Sequence, residues 1–303
     1  MALREPLMIK RVLADDELTL VPDPGLSFKV KDIKVYEADT STDLEAWIDQ
    51  KSVFYVPEVE DDYGCLTLGP VLTIGPTILA YLASKGIETS FPIGEGQTFT
   101  VKTGANVDVI EVHYEVYDAG DITPDMPNGT NWSEWTFISW GQLDGDKDAN
   151  AWYVLNTSIN PSPYPGFPFG ESVPSGVEVD VLGVLFRLFE RNEFPAGSDA
   201  YVRSKYLRFT RGTEVLFDED LNGFYVLGDG ASAGSANVAY CQGVSVLNLH
   251  RNKSGEEAYL LPEPLTLSAG EDLTVEVYLE GDSGATADEA DPRCGLILRY
   301  RRV

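Results

Sequence analysis

The stretch "GEGQTFTVKTG", Gly94 to Gly104, returns late in the chain as "SAGEDLTVEVY", Ser268 to Tyr278. Aligning Gly96 with Gly270 pairs Gln97 with Glu271, Thr98 with Asp272, Phe99 with Leu273, Thr100 with Thr274 and Val101 with Val275. Each copy reads as a glycine turn feeding a strand whose apolar residues recur at every second position. Any two strands can match this well, so the flanking sequence decides whether a domain is repeated.

Two further pairs appear in the same order. "GVEVDVLGVLFRLFERN" from Gly176 matches "GLSFKVKDIKVYEAD" from Gly25, with Val179 at Phe28, Val181 at Val30, Val184 at Ile33 and Phe186 at Val35. "VIEVHY" (Val109–Tyr114) then pairs with "GLILRY" (Gly295–Tyr300). The offset widens from 270 − 96 = 174 to 295 − 109 = 186, which the insert "GDSGATADEADPR" absorbs. Three matched segments in one order predict an internal duplication. With 303 residues, the chain has room for two domains of about 150 residues each.

Outward from these segments the texture is that of strands and tight turns: 28 Gly, 18 Pro and 11% aromatic residues. In "GLSFKVKDIKVY", Phe28, Val30, Ile33 and Val35 share a face with Lys29, Lys31 and Lys34 opposite, and the slip between them predicts a β-bulge near Asp32. "GPTILAYLASKG" is the exception. Pro76 at a first-turn position, the stripe Ile78, Leu79, Leu82 and Ala83, and Gly86 as a left-handed cap predict one short helix.

The fold class expected is all-β, two tandem jelly-roll-like β-sandwiches with few short helices. The domains read as an N-terminal arm at 1–22, a first sandwich at 23–120, a connection or tower loop at 121–175 and a second sandwich at 176–303. The final strand of each half is expected to be an interior partner that seals a sheet.

Charge and composition exclude several classes of function. The balance of 22 basic against 49 acidic residues, net −27, argues against a nucleic-acid face, which needs clustered Lys and Arg. Three cysteines, Cys65, Cys241 and Cys294, fit no metal spacing and cannot all pair within the chain. "MALREPLMIKRVLADDEL" is a poor signal peptide and no window is apolar enough to span a membrane, so synthesis and folding in the cytoplasm are expected.

Little in the chain carries chemistry. The two histidines, His113 and His250, fall one in each half, too few for the two-His-one-carboxylate iron sites that jelly rolls can host. There is no G-x-S-x-G elbow and no phosphate-binding glycine motif. The expectation is that the protein is no enzyme and needs no cofactor. In "LDGDKDAN", Asp144, Asp146 and Asp148 are spaced like the first ligands of a calcium loop, but Ala149 stands where Gly is needed and Leu155 where the bidentate Glu belongs. A solvated Asp-rich turn is the stronger reading, with weakly bound Ca the other.

The 121–175 segment holds four of the five tryptophans, Trp132, Trp135, Trp140 and Trp152, together with Tyr153 and Tyr164. Two readings stay open: packing that anchors the segment, and an aromatic platform that contacts a sugar or receptor.

Two tandem jelly-roll-like sandwiches in about 300 residues, a short basic arm and no catalytic apparatus resemble the double jelly-roll major capsid proteins of membrane-containing icosahedral viruses. The features that carry the resemblance are the "GEGQTFTV"/"AGEDLTVEV" and "VIEVHY"/"GLILRY" pairs and the helix near Pro76–Lys85. No matching helix is visible in the second half. The resemblance implies a structural virion protein whose homotrimers form pseudo-hexameric capsomers of a shell. Its partners would be itself, other capsid or vertex proteins and, through Arg4, Lys10 and Arg11, an internal membrane or a neighbour. The competing expectation is a carbohydrate-binding or adhesin-like sandwich of a virus spike or cell surface.

Overall fold

The computed structural model describes residues 3–36, 42–59, 77–121, 134–187, 190–192, 201–225, 259–284, 286–287 and 292–303. The fold is all-β, built from antiparallel sheets with one short helix among the described residues, as the alternating sequence predicts. The chain divides into two compact units.

The first unit comprises Met1–Ile138, Pro161–Tyr164 and Arg299–Arg302. Its strands are β1 (Leu3–Leu20), β2 (Leu26–Tyr36), β3 (Thr42–Ile48), β4 (Lys51–Val59), β5 (Phe91–Ile93) and β6 (Phe99–Asp118), with helix α1 at Ile78–Ser84. They form one six-stranded sheet in the order β4-β3-β6-β2-β5, and β1 lies along the other edge of β6. The long strand β6 organises the unit. Its start, Phe99–Thr103, pairs with β3, whereas Val109–Asp118 pairs with β2. Between these stretches the register with β1 jumps from Asp15↔Val107 to Glu17↔Lys102. The Thr103 hydroxyl donates to the Ala105 carbonyl at 2.8 Å at this jump, and a Cβ on Gly104 would stand 3.0 Å from Thr42 Oγ1.

Alternation drives the packing. Val30, Ile33, Val35, Leu44, Ala46, Ile48, Phe99, Val101, Ile110 and Val112 are fully buried, each large side chain contributing about 1.5–3 kcal/mol of transfer free energy. The expected bulge appears as a register shift between Val30 and Asp32. The expected helix is capped by Thr77, whose hydroxyl oxygen accepts from the Ala80 N–H at 3.1 Å, and Gly86 follows it with φ +80°. Pro76 lies outside the described residues. Of the segment expected as an N-terminal arm, Leu3–Leu20 is a strand paired with β6 between Tyr117 and Phe99, with register shifts on the way.

The second unit comprises Ser139–Asn160, Pro165–Leu298 and Val303. The later strands are β7 (Glu134–Gln142), β8 (Lys147–Asp148), β9 (Ala151–Val154), β10 (Thr157–Ser158), β11 (Val177–Arg187), β12 (Glu190–Asn192), β13 (Tyr201–Arg211), β14 (Glu214–Val215), β15 (Phe224–Tyr225), β16 (Tyr259–Leu267), β17 (Thr274–Gly281), β18 (Thr286–Ala287) and β19 (Arg293–Arg302). One sheet runs β10-β7-β19-β11-β16 and a second runs β12-β13-β17-β9, with β14 and β15 also on β13. Val179, Val181, Leu207, Phe209, Val275, Val277, Leu279, Leu296 and Leu298 form its buried set. The 121–175 segment, expected to be a connection, supplies the strands β7 to β10 to these sheets and to a small pairing of β8 with β18.

The stretches matched in sequence take the same local form. Gly96 and Gly270 have φ +81° and +82°. In the first turn the Gln97 N–H donates to the Gly94 carbonyl while the Gln97 side chain accepts from the Gly94 N–H at 2.8 Å. In the second, the Glu271 N–H donates to the Ser268 carbonyl and its carboxylate accepts from the Ser268 N–H at 2.6 Å. β2 and β11 each follow a positive-φ glycine, Gly25 or Gly176, and shift register at aligned positions, Val30/Asp32 and Val181/Gly183. Each also neighbours the closing strand of its half, β2 beside β6 and β11 beside β19, and both closing strands are interior.

Candidate assembly surface

β1 is the anomaly of the first unit. Its one partner among the described residues is β6, so no described strand covers its far edge. From Leu3 to Glu17 almost every side chain is exposed, whichever way it points. Leu7 is 56% exposed, Ile9 48% and Leu13 69%, with Leu3 and Met8 also exposed. The register puts Met8 and Val12 on the face of Tyr114 and Ile110, and Ile9 and Leu13 on the face of His113 and Val109. Apolar side chains therefore project from both faces of an open edge. Natural sheets usually shorten or charge such an edge to prevent pairing with another chain.

Charged groups fasten this strand to β6. Arg11 Nε donates to Glu111 Oε2 at 2.7 Å, and its Nη2 reaches the same oxygen. The other carboxylate oxygen meets His113 Nε2 at 2.5 Å. Burial pushes the Glu111 acid up, but the bonds from His113 and Arg11 outweigh it and hold the carboxyl below its ordinary range. On the β2 side, Lys34 is the register partner of Glu111 and Asp32 that of His113. Burial raises the pKa of Asp32, whose Oδ1 accepts from the Thr77 hydroxyl at the start of α1. Arg4 pairs with Asp118, and Lys10 Nζ donates to the Thr19 carbonyl at 2.6 Å. The three basic residues expected to contact a membrane or neighbour thus lie on one exposed strand, each also held to its own unit.

In the second unit, one face of β9, β17 and β13 carries a row of rings. Trp152 faces Tyr278 and Tyr278 faces Tyr206 by register, with centroids 5.4 and 6.2 Å apart. All three are half-buried, while the alternate residues Val277, Leu279 and Leu207 are buried. Arg208 lies over the Trp152 ring with its Cζ 4.0 Å from the centroid, and forks onto Glu276 through bonds of 2.8 and 2.7 Å. Lys205 pairs with Glu280 beside them.

The tryptophans expected at a ligand surface separate. Trp135 and Trp140 are core residues at 8% and 2% exposure, Trp135 within 6.3 Å of Phe91 and Trp140 over Gly295. Both side chains are enclosed by protein, as the packing reading expects. Trp132 lies outside the described residues, and of the other three Trp152 alone faces outward. The acidic turn does not gather either: Asp144 is held by Lys147 Nζ at 2.7 Å, and among the described residues no three His, Cys, Asp or Glu side chains come together as a metal would require.

Tyr206, Tyr278, Arg208 and Glu276 were not singled out by sequence reasoning. The period-two pattern of "YVRSKYLRFTR" and "TVEVYLEG" places each on an outward face, but the register that aligns them is set only in the folded sheet. No protein-family model matches the chain, and no curated protein is similar to it at a significant level.

Proposed function

We propose that this protein is a structural virion subunit, a major capsid protein whose homotrimers form pseudo-hexameric capsomers of an icosahedral shell. The observation that carries the reading is β1, an open edge strand with Leu7, Ile9 and Leu13 exposed on a chain otherwise rich in surface acid. Such an edge suits a chain that finishes folding against other copies of itself. The two all-β units with like turns and like closing strands support it, since a doubled sandwich lets three chains present six similar bodies. Native mass spectrometry of the full chain tests this. Trimers and their multiples are expected, with the multiples lost in Ile9→Asp; monomers at every concentration would contradict it.

A second reading, a carbohydrate-binding or adhesin-like protein, is favoured by the row Trp152, Tyr278 and Tyr206. Aromatic faces of this kind stack on sugar rings while flanking charged groups bond hydroxyls. Glycan-array binding lost in Trp152→Ala, by a chain that does not assemble, would favour this reading over the first.

A further inference from the structure

The sequence of the open edge reverses its charge about one residue. In "KRVLADD", Lys10 and Arg11 precede Leu13 by three and two positions, and Asp15 and Asp16 follow it by two and three. We propose that β1 pairs with β1 of a second copy, antiparallel, about a two-fold axis through Leu13.

In that register the residues facing each other have numbers that sum to twice 13. Arg11 faces Asp15, Lys10 faces Asp16, Val12 faces Ala14 and Leu13 faces itself, and the symmetry makes each charged pair twice. Faces are respected. Arg11, Leu13 and Asp15 lie on one side of the strand by the register with Glu111, Val109 and Val107, and a two-fold axis normal to the sheet keeps that side common to both copies. The ladder from Met8↔Tyr114 to Asp15↔Val107 has no register shift; the shift with β6 falls between Asp15 and Glu17, at Asp16, the last residue the pairing uses. Ala14, at φ +52°, turns the strand just past the axis, and Lys10 Nζ, which donates to the Thr19 carbonyl within its own strand, would exchange that bond for Asp16 of the second copy.

The side chains are in the state such a contact needs. Leu13 is 69% exposed, and the Arg11 side chain is 53% exposed while it holds Glu111 from the β6 side. A guanidinium has five N–H donors, so Asp15 of the second copy can bond from the open side without displacing Glu111. Two chains of net charge −27 repel over most of their surfaces. The β1 edge is a place where like chains meet with opposite charges aligned.

This inference rests on the coat-subunit reading and specifies which edge joins copies. Leu13→Cys in the full chain, under mild oxidation, is expected to give a disulfide-linked dimer, since the axis sets identical residues opposite. The wild type, with Cys65, Cys241 and Cys294, is the control. Lys10→Glu and Asp16→Lys, each alone, are expected to weaken dimerisation about tenfold or more, and an equimolar mixture of the two to restore it. A Leu13→Cys chain that stays uncrosslinked, or a mixture no tighter than either variant, overturns the pairing. Trimers that form without the crosslink leave the coat reading standing and remove this one, whereas a chain monomeric throughout removes both. Binding of the wild type to anionic-lipid vesicles with no dimer assigns the strand to a membrane surface and also overturns the pairing.

Discussion

Arg208 lays its guanidinium over the Trp152 ring, Cζ 4.0 Å from the centroid, while both its forks go to Glu276. Trp152, on β9, and Glu276, on β17, are thereby tied to β13 through one side chain. The Arg208 and Glu276 side chains are 20% and 16% exposed, so removing the cation leaves a carboxylate largely desolvated. Arg208→Ala should cost about 2–3 kcal/mol by denaturant unfolding, after allowance for the residual solvent contact. Arg208→Lys should recover only part, because an ammonium cannot fork. A cost below about 0.5 kcal/mol would show the pair to be ornamental.

Trp140 and Gly295 set the second expectation. A Cβ on Gly295 would stand 2.9–3.0 Å from three carbons of the Trp140 ring, closer than side-chain atoms pack. Gly295→Ala should destabilise the chain by about 1–3 kcal/mol, and by less in a Trp140→Phe background that opens the space. Equal losses in both backgrounds, measured by thermal or denaturant melts, would contradict the packing described.

Tyr164 is buried and bonds Ile138 twice: its hydroxyl accepts from the Ile138 N–H and donates to the Ile138 carbonyl, each at 3.0 Å. Tyr164→Phe leaves both backbone groups unpaired and should cost about 2 kcal/mol. Burial pushes this phenol well above its ordinary range. A folded-state pKa raised in this way gives stability that is complete below the unfolded value near 10 and is lost as pH rises beyond it. The wild type should therefore weaken above about pH 10, and Tyr164→Phe should weaken less steeply there. Tyr117, its hydroxyl donating to Glu115, is pushed up to about 12 and should ionise late in the ultraviolet titration.

Acid acts through Glu111. Its carboxyl is depressed in the folded chain, so its contribution is present above the unfolded pKa and disappears as pH falls through the lower folded value. Glu111→Gln should flatten the loss of stability below about pH 4.5 and increase hydrogen exchange of β1 amides at neutral pH, because Arg11 loses its anchor. Unchanged exchange along Leu3–Leu13 would mean the clasp does not hold the strand.

Much of the architecture was readable from residues alone. Alternation marked β2, β6, β11 and β17, the slip at Asp32 marked a real register shift, and the stripe from Ile78 with Gly86 as its cap marked the helix. These are local signals, set by side-chain period and by φ at glycine. What escaped was non-local. The period of "REPLMIKRVLADDEL" does not say that its neighbour is β6, since an exposed strand has no buried face to write into its sequence. Likewise Trp135 and Trp140 look the same in sequence as Trp152. Only pairing placed the first two in the core and the third outside.

The central claim is that this chain is a coat subunit that completes itself against copies of itself. Electron microscopy of the purified full-length protein, with averaging of single particles, addresses it most directly. The account predicts closed trimers with a six-sided outline that associate further into curved lattices. Particles that remain single chains at high protein concentration, or closed rings of any other symmetry, would contradict it.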